Sequence, residues 1–150
     1  MLFHLLATLL LVPLHLPISQ NFHAVPTNGA ILITISNIRS NNGKVNISVF
    51  AKADGFPSTV EKAVAVQSVA IQNNQVRVRF DNLPFGTYAV ACLHDENGNG
   101  KMDTNFVGIP KEGYGASNNA VNKFSAPKFE AAKFPFNAAV LLVNFKMHYW

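Results

Sequence analysis

The sequence predicts an all-β protein, an immunoglobulin-like or prealbumin-like antiparallel β-sandwich of about seven strands with one long ordered loop. Three observations carry this reading. Apolar residues recur with a period of two from residue 30 onward, no stretch sustains a period of 3.6, and turns rich in Asn, Gly and Pro separate the apolar runs. A chain of 150 residues, 49% hydrophobic and 13% charged, suits one domain and excludes a disordered or collagen-like chain.

Residues 2–18, LFHLLATLLLVPLHLPI, form an uncharged apolar run broken by Pro13 and Pro17 and followed by Ser19, Gln20 and Asn21. The run is too short and too proline-rich for a membrane span, which needs about 20 apolar residues. It reads as a secretory signal peptide over 1–24, which makes the protein exported, periplasmic or extracellular, with no membrane span in its mature form. The single domain then occupies 25–150.

Ile31, Ile33 and Ile35 mark the first strand, and Val45, Ile47 and Val49 the second. Ser40-Asn41-Asn42-Gly43 between them tolerates positive φ and predicts a tight hairpin. The apolar stretch 63–72 changes parity between Val66 and Val69, which predicts a bulge or break. After the turn signal Asn73-Asn74, Val76, Val78 and Phe80 face inward while Arg77, Arg79 and Asp81 face water. Pro84 and Gly86 make a corner, where Tyr88 is expected to bury its ring and bond backbone with its hydroxyl. Residues 87–93 are apolar on both faces, as a central strand requires, and Cys92 reads as a buried small hydrophobe. Leu141, Val143, Phe145, Met147 and Tyr149 alternate in the last strand.

Twelve basic residues stand against eight acidic ones, but the basic residues are scattered singly, so no nucleic-acid stripe is formed. One cysteine closes no internal disulfide. Four of the eight acids, Asp95, Glu96, Asp103 and Glu112, fall within residues 95–112 of a connection, 94–137, that shows little strand pattern. A connection of that length needs something to order it. Asp95, Asn97 and Asn99 have the spacing of positions 1, 3 and 5 of an oxygen-donor calcium loop. Gly100 stands at 6, the Lys101 carbonyl at 7 and Asp103 at 9. Phe106 replaces the bidentate glutamate at position 12, so this is no EF-hand, and Glu112 is the candidate for the missing oxygens. The expected cofactor is calcium, bound with Kd on the order of 10⁻⁴ to 10⁻³ M. Turn chemistry alone explains the Asn-Gly repeats, though not the spacing of the carboxylates.

The run His94-Asp95-x-Asn97-x-Asn99-Gly100-x-x-Asp103-x-Asn105-x-x-Gly108-x-Pro110-x-Glu112-x-Tyr114-Gly115-x-Ser117-Asn118-Asn119, preceded by Leu83-Pro84-x-Gly86-Thr87-Tyr88-Ala89-Val90, resembles an uncharacterised family of exported bacterial domains, a domain of unknown function. The resemblance covers about residues 30–148 and implies a secreted or periplasmic β-sandwich without an established activity. The loop is also similar to calcium loops of bacterial surface-adhesin repeats, which pair an Asp-x-Asn-x-Asn/Asp-Gly run with a following Gly-Ile-Pro, here Gly108-Ile109-Pro110.

Tyr114, Ser117 and Asn118 are candidate ligand contacts, and Phe124, Phe129, Phe134 and Phe136 are expected to pack in the core. The leading expectation is a non-enzymatic, calcium-stabilised module acting in binding or structure, with a protein or glycan partner. One alternative is a carbohydrate-binding accessory domain using Tyr114 and the phenylalanine segment. The other is a hydrolase built on His94, Glu112 and Ser117.

Overall fold

Alternating isoleucines need an apolar layer on one side, and the chain supplies it by stacking two sheets. The computed structural model describes residues 26–122 and 125–150, so the signal reading over 1–24 and Phe124 lie outside the described residues. Strands β1 (Asn28–Ser36), β4 (Val76–Pro84) and β8 (Val140–Lys146) form one sheet in the order β4-β1-β8. Strands β2 (Lys44–Phe50), β3 (Ala65–Ala70), β5 (Gly86–Asp95) and β6 (Gly113–Ala116) form the other in the order β3-β2-β5-β6, and β7 (Phe134–Phe136) pairs with the start of β5. The result is an all-β sandwich of eight strands among the described residues, one more than the apolar pattern suggests.

Three local expectations are corrected. The Ser40–Gly43 turn is not a hairpin, because β1 pairs only with β4 and β8 while β2 pairs with β3 and β5. The segment instead crosses from sheet to sheet, with Ile38 buried in the core and the Asn74 amide bonded to the Ile38 carbonyl at 2.8 Å. β3 pairs with β2 in unbroken register, so it has no bulge; the parity change arises because Val64 and Val66 face water while Val69 and Ile71 turn inward. The sheets are not wholly antiparallel either, since β1 and β8 run parallel from Ala30↔Val140 to Ser36↔Lys146.

Other expectations hold in detail. Asn73 and Asn74 both take positive φ, 52° and 57°, between the bridged residues Gln72 and Gln75, as a two-residue turn requires. Tyr88 is buried and its hydroxyl donates to the Pro84 carbonyl at 2.8 Å. β5 is buried on both faces because two cores exist. Ile31, Ile33, Ile47, Val49, Val90 and Phe145 pack between the sheets. On the outer face of the larger sheet, Phe50, Ala89, Ala91 and Ala116 pack under Phe129 and Ala132 of the short helix α1 (Phe129–Ala132). Phe56 bridges Phe50 and Phe129 edge to face, at centroid distances of 5.4 and 5.8 Å. Phe129, Phe134 and Phe136 are therefore core residues, each stabilising the fold by about 1.5–3 kcal/mol.

The sandwich is pinned shut at one edge. Beyond β8 the backbone of His148 exchanges hydrogen bonds with Tyr114 of β6, at 2.7 and 2.9 Å. Gly113 makes this possible, because a Cβ there would lie 2.3 Å from the Tyr149 ring. That junction is where the 95–112 loop leaves and re-enters the fold.

Candidate functional site

The loop is built on two buried carboxylates. Asp95, the last residue of β5, is 4% exposed and its oxygens accept four hydrogen bonds. Oδ1 accepts from the amides of Gly98 at 2.8 Å and Asn99 at 3.0 Å; Oδ2 accepts from the Gly100 amide at 2.9 Å and the Asn46 side chain at 3.1 Å. Gly100, at φ 76°, supplies the left-handed turn that brings its N–H back to Asp95. Glu112, also 4% exposed, accepts from the Glu96 amide at 2.8 Å and the Asp103 amide at 3.0 Å, so one side chain staples the start and middle of the loop to the entry of β6.

Asp103 gathers the remaining predicted residues. Its Oδ2 accepts from the Asn97 side chain at 2.5 Å and its Oδ1 from the Asn99 side chain at 3.0 Å. The amide oxygens of Asn97 and Asn99 accept in turn from the backbone of Asn99 and Lys101, at 3.1 and 2.8 Å. Asn97, Asn99 and Asp103 thus meet at one place, while Glu112 turns its oxygens onto loop backbone and Asp95 turns its own onto loop backbone and the Asn46 side chain. Among the described residues no three or more His, Cys, Asp or Glu side chains form a group able to hold a metal ion. The side chains that meet the Asp103 carboxylate are the two asparagine amides, through their nitrogens. An ionised carboxylate offers about four acceptor positions, so Asp95 is filled as it stands and could ligate an ion only by releasing a donor. Asn46 is the longest of its four partners.

A second network lies under the loop and adds Arg39, which the apolar pattern does not single out. His94 is fully buried, with Nε2 bonded to the Asn42 carbonyl at 2.8 Å and Nδ1 to the Tyr149 hydroxyl at 2.8 Å. A carbonyl only accepts, so Nε2 carries a proton, and the Tyr149 hydroxyl that meets Nδ1 also accepts the Arg39 amide at 3.1 Å. Arg39 lies over the Tyr149 ring at 4.7 Å, donates Nε to Glu96 at 3.1 Å and bonds the Lys111 carbonyl at 2.8 Å. Its hydrogen bonds hold the Glu96 carboxyl below the usual carboxylate range, and Glu96 raises the guanidinium in return. Burial pushes the Tyr149 hydroxyl up. No sequence motif announces Arg39; the one signal is that Glu96, beside a buried strand end, calls for a cation.

Ser117 is fully buried. Its hydroxyl accepts the Val90 amide at 2.9 Å and donates to the Ala132 carbonyl at 2.6 Å, so it clasps β5 to α1 and is not presented to a ligand. Asn118 is exposed, at φ 60°, but its amide donates to the Lys133 carbonyl at 2.9 Å. Tyr114 is half-buried, with its ring edge to face against His148 at 5.3 Å, and burial raises its hydroxyl. His94, Glu112 and Ser117 make no hydrogen bonds with one another: Ser117 lies at Val90, four residues or roughly 13 Å along β5 from His94.

Over residues 33–142 the sequence matches the family described as an uncharacterized protein conserved in bacteria (DUF2141), and the chain belongs to that family. Comparison with curated proteins and with solved structures returns no match.

Proposed function

We propose that this family member is an exported, non-catalytic β-sandwich module whose 95–112 loop takes calcium at its outer half and which serves as a binding or structural domain. The observation that supports it most is the meeting of Asn97, Asn99 and Asp103 within hydrogen-bond distance, three of the six residues expected from calcium-loop spacing. Turning the two amides so that oxygen faces Asp103, with the Lys101 carbonyl close in sequence, assembles the hard, uncharged and anionic oxygens that calcium takes. Export rests on the apolar run at 2–18. A non-catalytic role is supported by the separate engagements of His94, Glu112 and Ser117. The glycan alternative is weakened by the burial of Phe129, Phe134 and Phe136.

Calorimetric titration together with thermal melting tests the calcium reading. For Kd between about 10⁻⁴ and 10⁻³ M, calcium at about 10 mM stabilises the fold by about 1.4–2.7 kcal/mol. Asp103→Asn should abolish that gain, while Asp81→Asn on the exposed face of β4 should keep it. Absence of both binding heat and a melting shift at this concentration refutes the reading.

A further inference from the structure

The tip of the loop carries apolar side chains where a water-facing turn ordinarily carries polar ones. Phe106 is 99% exposed, Val107 61% and Ile109 44%. The tip is nevertheless a built hairpin. Thr104 and Pro110 form an antiparallel bridge, the Asn105 amide donates to the Ile109 carbonyl at 2.8 Å, and the Gly108 amide donates to the Asn105 carbonyl at 2.9 Å. The Asn105 side-chain oxygen accepts from Val107 and Ile109, at 3.0 and 2.9 Å. At the base, the Lys111 amide donates to the Asp103 carbonyl at 2.8 Å. Ordering entropy has therefore been met within the fold, and the three side chains are held outward with their neighbouring amides already satisfied.

Charge around the tip is sorted. Glu96 is paired with Arg39, Asp95 and Glu112 face loop backbone, and Asp103 faces two asparagine amides. The exposed lysines Lys101 and Lys111 flank the hairpin, and neither is in an ion pair among the described residues. The outward surface is thus an apolar prong with a cationic collar. A stable protein interface needs more than about 1,000 Å² and directional polar partners, which a three-residue prong with satisfied amides does not offer. Non-directional apolar contact beneath a layer of negative charge is what an anionic bilayer surface provides.

We propose that the 104–110 hairpin is a membrane-interface anchor, inserting Phe106, Val107 and Ile109 below the headgroups of an anionic bilayer while Lys101 and Lys111 meet the phosphates. This rests on the tip and its lysines, and not on calcium. Because the apolar run at 2–18 could bind lipid by itself, the readout belongs at the tip: the chain carrying Phe106→Trp and Trp150→Phe, with vesicles of equimolar phosphatidylcholine and phosphatidylglycerol or of phosphatidylcholine alone. With the mixed vesicles the new tryptophan should shift to the blue and be quenched by lipids brominated on the acyl chain. Adding Lys101→Gln and Lys111→Gln should weaken the response about thirtyfold, at about 1 kcal/mol for each lysine. Melting temperatures should be unchanged, since each side chain is exposed. A tryptophan that stays unquenched even when the chain sediments with vesicles overturns the proposal, as does equal quenching by both vesicle types with no effect of the lysine substitutions. A concentration-dependent blue shift without lipid also overturns it, assigning the prong to a second copy of the chain.

Discussion

Replacing Glu112 by glutamine tests whether the loop is held by one buried carboxylate. The two side chains have the same shape, so no cavity opens, and the change falls on the hydrogen bonds alone. In the native fold both oxygens accept backbone amides, from Glu96 and Asp103, and the group is 4% exposed. Glutamine keeps one acceptor and turns an NH₂ toward the other amide, leaving two donors face to face. A hydrogen bond to a charged group contributes about 1.5–3 kcal/mol, and a stranded buried donor adds a cost of its own, so Glu112→Gln should destabilise by about 2–4 kcal/mol. For a domain with a total stability of about 5–15 kcal/mol that is a large fraction. Urea denaturation should show a lower midpoint with an unchanged slope, and hydrogen exchange should speed up at the Glu96 and Asp103 amides before it does in β5. Glu130→Gln, which removes an exposed pairing with Lys133, serves as the control, with an expected change below about 0.5 kcal/mol. If Glu112→Gln melts within about 0.5 kcal/mol of the parent and its loop amides stay protected, the staple is not what orders the loop.

Three further outcomes are expected. Ser117→Ala removes the acceptor of the Val90 amide in the middle of the larger sheet and should cost about 1–3 kcal/mol by chemical denaturation; a neutral result would contradict the clasp between β5 and α1. The Cys92 thiol, pushed well above its ordinary value by burial, should ignore an aromatic disulfide reagent in the native protein and react fully in urea, and rapid native labelling would contradict the burial. Arg39 lowers the folded-state value of Glu96, so this contribution to stability is present above the ordinary carboxylate value near 4.5 and is lost as pH falls through the lowered folded value. Arg39→Met should therefore be less stable than the parent at neutral pH, with the difference narrowing in acid; a gap independent of pH would refute the pairing.

What could be read in the chain were the features decided by neighbours in sequence. Tyr88 and Pro84 are four residues apart, and the Asn73-Asn74 turn closes on adjacent residues, so corner and turn follow from local stereochemistry. The Ser40–Gly43 segment has the same local chemistry as a hairpin and makes none, because strand partners are chosen by which apolar faces must meet across the sandwich. β6 is four residues long with two glycines, and its pairing is decided by the Tyr149 ring and the Cys92 side chain packing against those glycines from distant parts of the chain. Calcium-loop spacing placed Asn97, Asn99 and Asp103 together because alternate residues of a tight loop point one way. It could not say that Asp95 and Glu112 would spend their oxygens on backbone, since this depends on how the loop folds back over β6. Arg39 lies 57 residues from its partner Glu96, and Tyr149 lies 55 residues from His94, so only the fold brings each pair together.

The two halves of the loop are ordered by different means, and this separates the two proposals. Its inner half is held by the buried carboxylates of Asp95 and Glu112. The outer half depends on Asp103, whose side chain rests on two exposed asparagines and whose carbonyl receives the Lys111 amide at the base of the hairpin. An ion at Asp103 would therefore tighten the base from which Phe106 projects, without altering which residues project. Calcium should change how long the prong keeps its shape and leave its chemistry as it is. Lipid insertion by an Asp103→Asn chain, weaker but still dependent on Lys101 and Lys111, follows from that division.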